Sequence, residues 1–217
     1  MLCILYNIIY DKNIVGQGDK IMNDSIEIKK MDDLADDVNL KVAHVFVDAY
    51  YDLLCSMTED KEKLIASFKD AFVKDVFYLA LIDGEVVGML ACSNNKHRAV
   101  NLNRSSFIKS LGFLKGNFAY FFISNEFHKK LDYDDDATYI EFVATTSQAR
   151  GKGVATKLFK HVIENSGYNQ FTLDVIDTNE KALSIYRKLG FKEFKRTSAT
   201  YFEKKIFNYK IYMKLSK

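Results

Sequence analysis

The 217-residue chain contains no proline. With that marker of turns and helix ends missing, element boundaries rest on glycine, charge and hydrophobic period. Cysteine is scarce: Cys3, Cys55 and Cys92 are odd in number, scattered and without C-x-x-C spacing. This excludes a disulfide framework and a zinc site built on cysteine pairs, and it fits a reducing compartment. The four histidines, His44, His97, His128 and His161, show no ligand spacing, so no metal is expected. Cys92 and His97 can be drawn as a nucleophile and its base, but nothing else in the sequence supports that arrangement. A net charge of only +2 gives no electrostatic reason to expect nucleic acid as a partner. Long apolar runs are also absent. The longest near the N-terminus, Leu2 to Tyr10, is broken by Asn7 and ended by Asp11. It is too short to span a bilayer and lacks the basic flank of a signal peptide. No membrane partner and a cytoplasmic location are the expectation.

What the chain does have is apolar material, 48% of its residues, enough for one well-filled domain. Residues 1–21 read as an N-terminal extension of uncertain role: Leu2 to Tyr10 as an extra strand, Asn13 to Asp19 as a loop. Met22 reads as a second plausible start, so the domain is placed at 22–217. Ser25 to Lys29 alternates as a first strand. Asp36 to Leu54 and Lys61 to Val73 carry apolar residues at helical period. Phe77 to Ile82 and Glu85 to Ser93 are strands joined by Asp83-Gly84, a strong hairpin signal. Residues 96–136 form a long aromatic insertion with room for helices at Ser105–Leu114 and Phe118–His128, around Gly112 and Gly116. It reads as a packed cap, as a lid over a pocket, or as both. Asp132, Asp134, Asp135 and Asp136 close it, as a solvated turn or as an attractor for a cationic ligand. Near the end, Lys192 to Arg196 reads as a strand. Phe207 to Ser216 alternates at period two, which predicts a last, antiparallel strand.

The stretch that organises the rest is Tyr139 to Ala155. Its first half, through Thr145, is β-branched and aromatic and reads as a strand. Its second half, Gln148-Ala149-Arg150-Gly151-Lys152-Gly153, is a glycine-punctuated turn, after which Val154, Leu158, Phe159, Val162 and Ile163 follow a helical period. A strand, a glycine turn and a helix N-terminus together suit an anion, because free N–H groups and the helix dipole converge there. The spacing is neither a P-loop nor a dinucleotide fingerprint. Downstream comes a strand, Gln170 to Asp177, and then Asn179 to Phe191 as N-x-x-A-x-x-x-Y-x-x-x-G-F. The glycine turn, Q-x-x-G-x-G-x-A, and this second motif resemble the two cofactor motifs of the GNAT superfamily of acetyl-CoA-dependent N-acetyltransferases, and the similarity covers roughly Val76 to Phe191.

The resemblance implies an α/β (α+β three-layer) domain with a mixed, mostly antiparallel sheet, helices on both faces and one splayed strand pair. Acetyl-CoA would lie in the splay as cosubstrate. Val143, Ala144 and Thr145 would pair with its pantetheine arm. Gln148, Arg150, Gly151, Lys152, Gly153, Val154 and Ala155 would surround the pyrophosphate. Asn179 would bond the pantetheine, Ala182 would leave room for it, and Tyr186 would protonate the leaving sulfur. Glu141 stands where family members often carry an acidic residue that draws the amine proton, and it reads as sharing a strand face with Val143 and Thr145. In the resembled family the two early helices flank the acceptor groove, so Tyr50 and Tyr51 are candidates to line it. Members often dimerise, which makes a homodimer a compatible assembly. Three functions stay open: acetyl transfer to a primary amine of a small molecule, acetyl transfer to a protein or peptide, and a non-catalytic acyl-CoA-binding module.

Overall fold

A computed structural model describes residues 26–35, 37–127, 131, 137–201 and 203–217. The expectations for residues 1–21, for a start at Met22 and for the Asp132–Asp136 run lie outside the described residues. So do Asp36, which begins the first expected helix, and His128, which ends the insertion's second one.

Seven strands form one sheet in the order β1-β2-β3-β4-β5-β7-β6. β1 is Glu27–Lys30, β2 Phe77–Ile82, β3 Glu85–Ser93 and β4 Ala137–Thr145; β5 is Gln170–Ile176, β6 Lys192–Ser198 and β7 Tyr209–Ser216. Every neighbouring pair is antiparallel except β4 and β5, which run parallel. The hairpin between β2 and β3 turns on Asp83 and Gly84 with φ of 51° and 80°. Both values are positive, which a tight turn between right-twisted strands requires. The last strand enters between β5 and β6, so the period-two segment becomes an inner strand.

Helices cover both faces. On one side lie α1, Val38–Leu54, and α2, Lys61–Phe68, with α3, Arg104–Leu111, and α4, Phe113–Phe127. Their apolar residues join one core with Phe77, Leu79, Met89 and Ala91 of the sheet. On the other side lie α5, Val154–Asn165, and α6, Glu180–Lys188. There Val154, Leu158, Phe159 and Val162 pack with Leu173, Val175 and Tyr186. The expected helix over Lys61–Val73 stops at Phe68, and Phe72 instead bridges to Val100.

The insertion holds the two expected helices, with a boundary earlier than expected. Gly112, at φ 86°, separates α3 from α4, and Gly116 sits inside α4. A Cβ on Gly116 would stand 2.4 Å from the Phe107 carbonyl oxygen and 2.7 Å from Ile108 Cα. This glycine is therefore a helix-helix contact point. α3 reaches α2 through Phe68 and Phe107, whose ring centroids lie 5.2 Å apart. α4 reaches the sheet through Phe127, 5.4 Å from the ring of Phe142.

Candidate active site

β4 and β5 pair only over Ala137–Gln170, Thr138–Phe171 and Tyr139–Thr172. β4 then runs on to Thr145 and β5 to Ile176 with no ladder between them. β4 keeps its other partner, β3, through Thr145, and β5 keeps β7 through Ile176. The result is a slot in the middle of the sheet whose β4 wall includes Val143, Ala144 and Thr145.

The wall carries a bulge. Ala91 pairs with Glu141 and Met89 with Ala144, so β4 has one residue more than β3 over that interval. Phe142 absorbs it at φ 49°, a sparsely populated conformation for an aromatic residue. The extra residue resets the alternation of the strand. Ile140 and Val143 face the α5 core, whereas Phe142 and Ala144 face the α1 core. Glu141 pairs across the strands with Ala91, which also faces α1. The expectation that Glu141 shares a face with Val143 is thus corrected: Val143 faces α5 and Glu141 faces α1. Phe142 is held in place by Phe46 and Tyr50 of α1, at 5.6 and 6.2 Å between ring centroids. Tyr50 is buried, and its hydroxyl donates a long 3.4 Å hydrogen bond to the Val143 carbonyl. Tyr51 turns away; its hydroxyl donates to the Glu59 carbonyl at 2.8 Å.

At the end of β4 the turn leads into α5. Ser147 N–H donates to the Asp48 carboxylate of α1 at 2.8 Å, which fixes the entry. Gly151 and Gly153 take φ of 78° and 79°, and a Cβ at either would meet nothing within 4 Å. The turn therefore needs glycine for its backbone, and the space beside it is open. No side chain caps α5 at Gly153, so the first N–H groups of the helix depend on water or a ligand for partners. Gln148 and Lys152 are exposed, Arg150 and Ala155 half-buried, and Val154 is buried beneath the turn.

Across the slot, Asn179 caps α6, its Oδ1 accepting from the Ala182 N–H at 3.2 Å. One helical turn further on, Tyr186 is fully buried, with its ring 5.3 Å from Phe159 and 6.0 Å from Phe191. Its hydroxyl makes no hydrogen bond. Burial, with Tyr50 and Asp174 nearby, pushes the phenol well above its ordinary range, so it stays protonated and keeps a proton to donate. An unpaired, buried donor is costly and points to a partner brought by a ligand.

Two further carboxylates face α1 from the two sides of the slot. Glu141 accepts from Arg98 Nη2 at 2.7 Å and from the Ser93 hydroxyl, and only 8% of it is exposed. Asp174 of β5, 2% exposed, accepts from the Tyr139 hydroxyl and pairs with Lys210 Nζ at 3.1 Å. Asp174, Arg98, Lys210 and Ser93 were not singled out from the sequence. Each pair joins residues 35 or more positions apart, and Asp174 and Lys210 meet across the β5–β7 ladder. Only the odd charged residue inside the apolar strand Gln170–Ile176 was visible beforehand. Cys92 is buried behind β3, its thiol pushed up to about 12 by burial, while His97 pairs with Asp75 at 2.8 Å. The two do not form a nucleophile and base. Among the described residues no group of three His, Cys, Asp or Glu is placed to hold a metal.

A family model described as "Acetyltransferase (GNAT) family" matches residues 42–191, more than half of the chain. The chain belongs to the GNAT acetyltransferase family. Thialysine N-epsilon-acetyltransferase of Mus musculus is 44% identical over 55 residues, which are 24% of this chain and 32% of that protein. N-alpha-acetyltransferase 30 of Schizosaccharomyces pombe is 39% identical over 61 residues, 27% of this chain and 41% of that protein. The matched stretches thus span a third to two-fifths of those curated relatives. Among solved structures, an N-acetyltransferase from Staphylococcus aureus Mu50 superposes with a TM-score of 0.58 at 19% identity, covering 87% of this chain and all of the other. A GNAT superfamily phosphinothricin acetyltransferase from Sinorhizobium meliloti, solved with AcCoA, superposes at 0.52 and 13% identity over 88% of both chains. The GNAT fold accounts for the sheet order, the parallel pair and the slot.

Proposed function

We propose that this GNAT protein transfers the acetyl group of acetyl-CoA to a primary amine of a small molecule. The observation that carries the proposal is the buried, partnerless hydroxyl of Tyr186 beside a slot opened by two diverging strands. The residues fit acetyl-CoA: the β4 edge at Val143–Thr145 supplies an unpaired strand edge, and the open turn at Gly151 and Gly153 supplies space at an uncapped helix start. Arg150 and Lys152 add charge there for the pyrophosphate, and Gln148, Val154 and Ala155 complete the turn. Asn179 and Ala182 border the pantetheine path. When bound, acetyl-CoA supplies an acetyl thioester whose sulfur leaves as thiolate.

The chain's own residues do the remaining work. Tyr186, held protonated by its burial, gives the leaving sulfur its proton. A lysine-like amine has a pKa near 10.4 and must lose a proton before it attacks. A carboxylate on the α1 face serves that loss, and Glu141 and Asp174 are the two that stand there. The packing of α4 against Phe142, the residue after Glu141, supports an enclosed acceptor site and so a small acceptor.

A protein or peptide acceptor is the second reading, favoured by the similarity to the S. pombe N-alpha-acetyltransferase over 61 residues. Thiol release from acetyl-CoA, measured against lysine, polyamines, aminoglycosides and short peptides, separates the two. Turnover on a small amine with none on peptides is expected; the reverse assigns a peptide acceptor. Tight binding of acetyl-CoA with no turnover on any acceptor makes the protein a binding module.

A further inference from the structure

The slot has two carboxylates on its acceptor face and each is held by one cation and one hydroxyl, yet their partners differ in a way that matters for moving a proton. Glu141 is bound by Arg98, and a guanidinium does not give up its proton in a protein. Its second oxygen is held by the Ser93 hydroxyl, and Ser93 is fully buried, so neither partner of Glu141 opens a path to water. Asp174 is bound by Tyr139 and Lys210. Both of those partners exchange protons, and Asp174 links them, with one on each of its oxygens. Tyr139 is the last residue of β4 paired to β5, so its hydroxyl stands where the strands begin to part. Asp174 is buried behind it. Lys210, with 21% of its side chain exposed, is the end that water reaches.

We propose that the ammonium proton of the acceptor leaves through Tyr139 to Asp174, with Lys210 as the outlet, while Glu141 orients Arg98. The inference rests on the acetyl-transfer reading above. An N–H bond of the ammonium breaks and an O–H bond forms at Tyr139 Oη, while the proton of Tyr139 crosses its existing hydrogen bond to Asp174 Oδ1. The neutral amine then attacks, its nitrogen bonding to the acyl carbon as the carbon–sulfur bond breaks. The sulfur takes the proton of Tyr186, and the nitrogen's second surplus proton restores Tyr186. One proton leaves with the thiol. The other passes from Asp174 to Lys210 Nζ as the Lys210 ammonium gives one of its own N–H protons to water, which restores the Asp174–Lys210 ion pair.

The groups that face Asp174 bear on any pH profile. Among the described residues these include Tyr139 on β4, Lys210 on β7 and Tyr186 on α6; across the slot stand Glu141 and, on α1, Tyr50. Tyr139 is a relay residue, and Asp174 is a positioning residue that acts through it.

The test uses the full chain with acetyl-CoA and whichever amine of the panel above the wild type acetylates fastest, with kcat/KM measured from pH 7 to 9.5. Tyr139→Phe is expected to lose about 100-fold at pH 7, the scale of one general base. The loss is expected to shrink at least about tenfold by pH 9.5, because there the amine increasingly arrives already neutral. Asp174→Asn is expected to follow the same profile, and if it does not fold, Tyr139→Phe alone decides. Glu141→Gln is expected to lose activity by a factor that stays constant with pH. Wild-type turnover by Tyr139→Phe at pH 7, or a loss that does not change with pH, overturns the relay. A climbing profile in Glu141→Gln with a flat one in Tyr139→Phe returns the role to Glu141. A wild type that binds acetyl-CoA and acetylates nothing overturns the acetyl-transfer reading itself, and the relay with it.

Discussion

Tyr186→Phe changes one atom and separates two effects of opposite sign. The Tyr186 hydroxyl is buried without a hydrogen bond, so the folded protein carries the desolvation cost of that group, about 1–3 kcal/mol. Phenylalanine keeps the ring contacts with Phe159 and Phe191 at 5.3 and 6.0 Å and leaves that cost out. The variant is therefore expected to be more stable. For a chain of this size about 1 kcal/mol corresponds to roughly 2–4 °C in Tm, so melting rises by at least that amount. Turnover moves the other way. Without its acid the enzyme loses on the order of 100-fold or more in kcat, while calorimetric affinity for acetyl-CoA stays nearly unchanged. Differential scanning calorimetry and thiol release on one preparation measure both. Unaltered turnover refutes the acid role. A fall in Tm refutes the unpaired hydroxyl from which the acid role was inferred.

Other outcomes follow from the same geometry. Gly153→Ala forces a Cβ into a left-handed position, at about 1–2 kcal/mol, and puts a methyl into the open side of the turn; acetyl-CoA Kd is expected to rise about tenfold or more, and an unchanged Kd removes the turn from the site. Gly116→Ala presses the α4 backbone against Phe107 and Ile108; a loss of about 1–3 kcal/mol is expected from overpacking, read as a lower Tm, and an unshifted Tm contradicts the contact. Stability is also expected to fall at alkaline pH. Burial raises the folded-state pKa of Cys92, Tyr50 and Tyr186, so each group keeps its proton in the folded chain while the unfolded chain releases it. The contribution is complete below the unfolded values, near 9.0 for cysteine and 10.0 for tyrosine, and shrinks as pH rises above them. Thermal melts from pH 7 to 11 should be flat to about pH 9 and then decline, by about 1.4 kcal/mol per pH unit for each group passed; a flat curve to pH 11 contradicts the burial of these groups.

Much of the fold was legible because its signals are local. The Asp83-Gly84 hairpin, the alternation of Tyr209–Ser216 and the stripe from Val154 to Val162 each declare their element within a few residues. The motif helix and its cap at Asn179 were equally readable. What was not legible depends on residues meeting from far along the chain. The bulge at Phe142 is stabilised by rings from α1 and α4, and no local pattern announces a positive φ at phenylalanine; it alone turned Glu141 to the opposite face from Val143. Gly116 fell between the two expected helices, whereas it lies inside α4 and its reason is the approach of a neighbouring helix. The partners Arg98 and Lys210 are ordinary surface-type residues in sequence, and they acquire their meaning only when the strands bring Glu141 and Asp174 beside them.

Calorimetric titration of the wild-type chain with acetyl-CoA, repeated in Arg150→Ala and Lys152→Ala and at two salt concentrations, bears on everything built on the slot. Saturable one-to-one binding is expected, weakened by each substitution and by salt, since both charges stand at the turn that receives the pyrophosphate. No saturable heat from the wild type, or binding indifferent to both charges and to salt, contradicts the assignment of the turn and of the slot behind it.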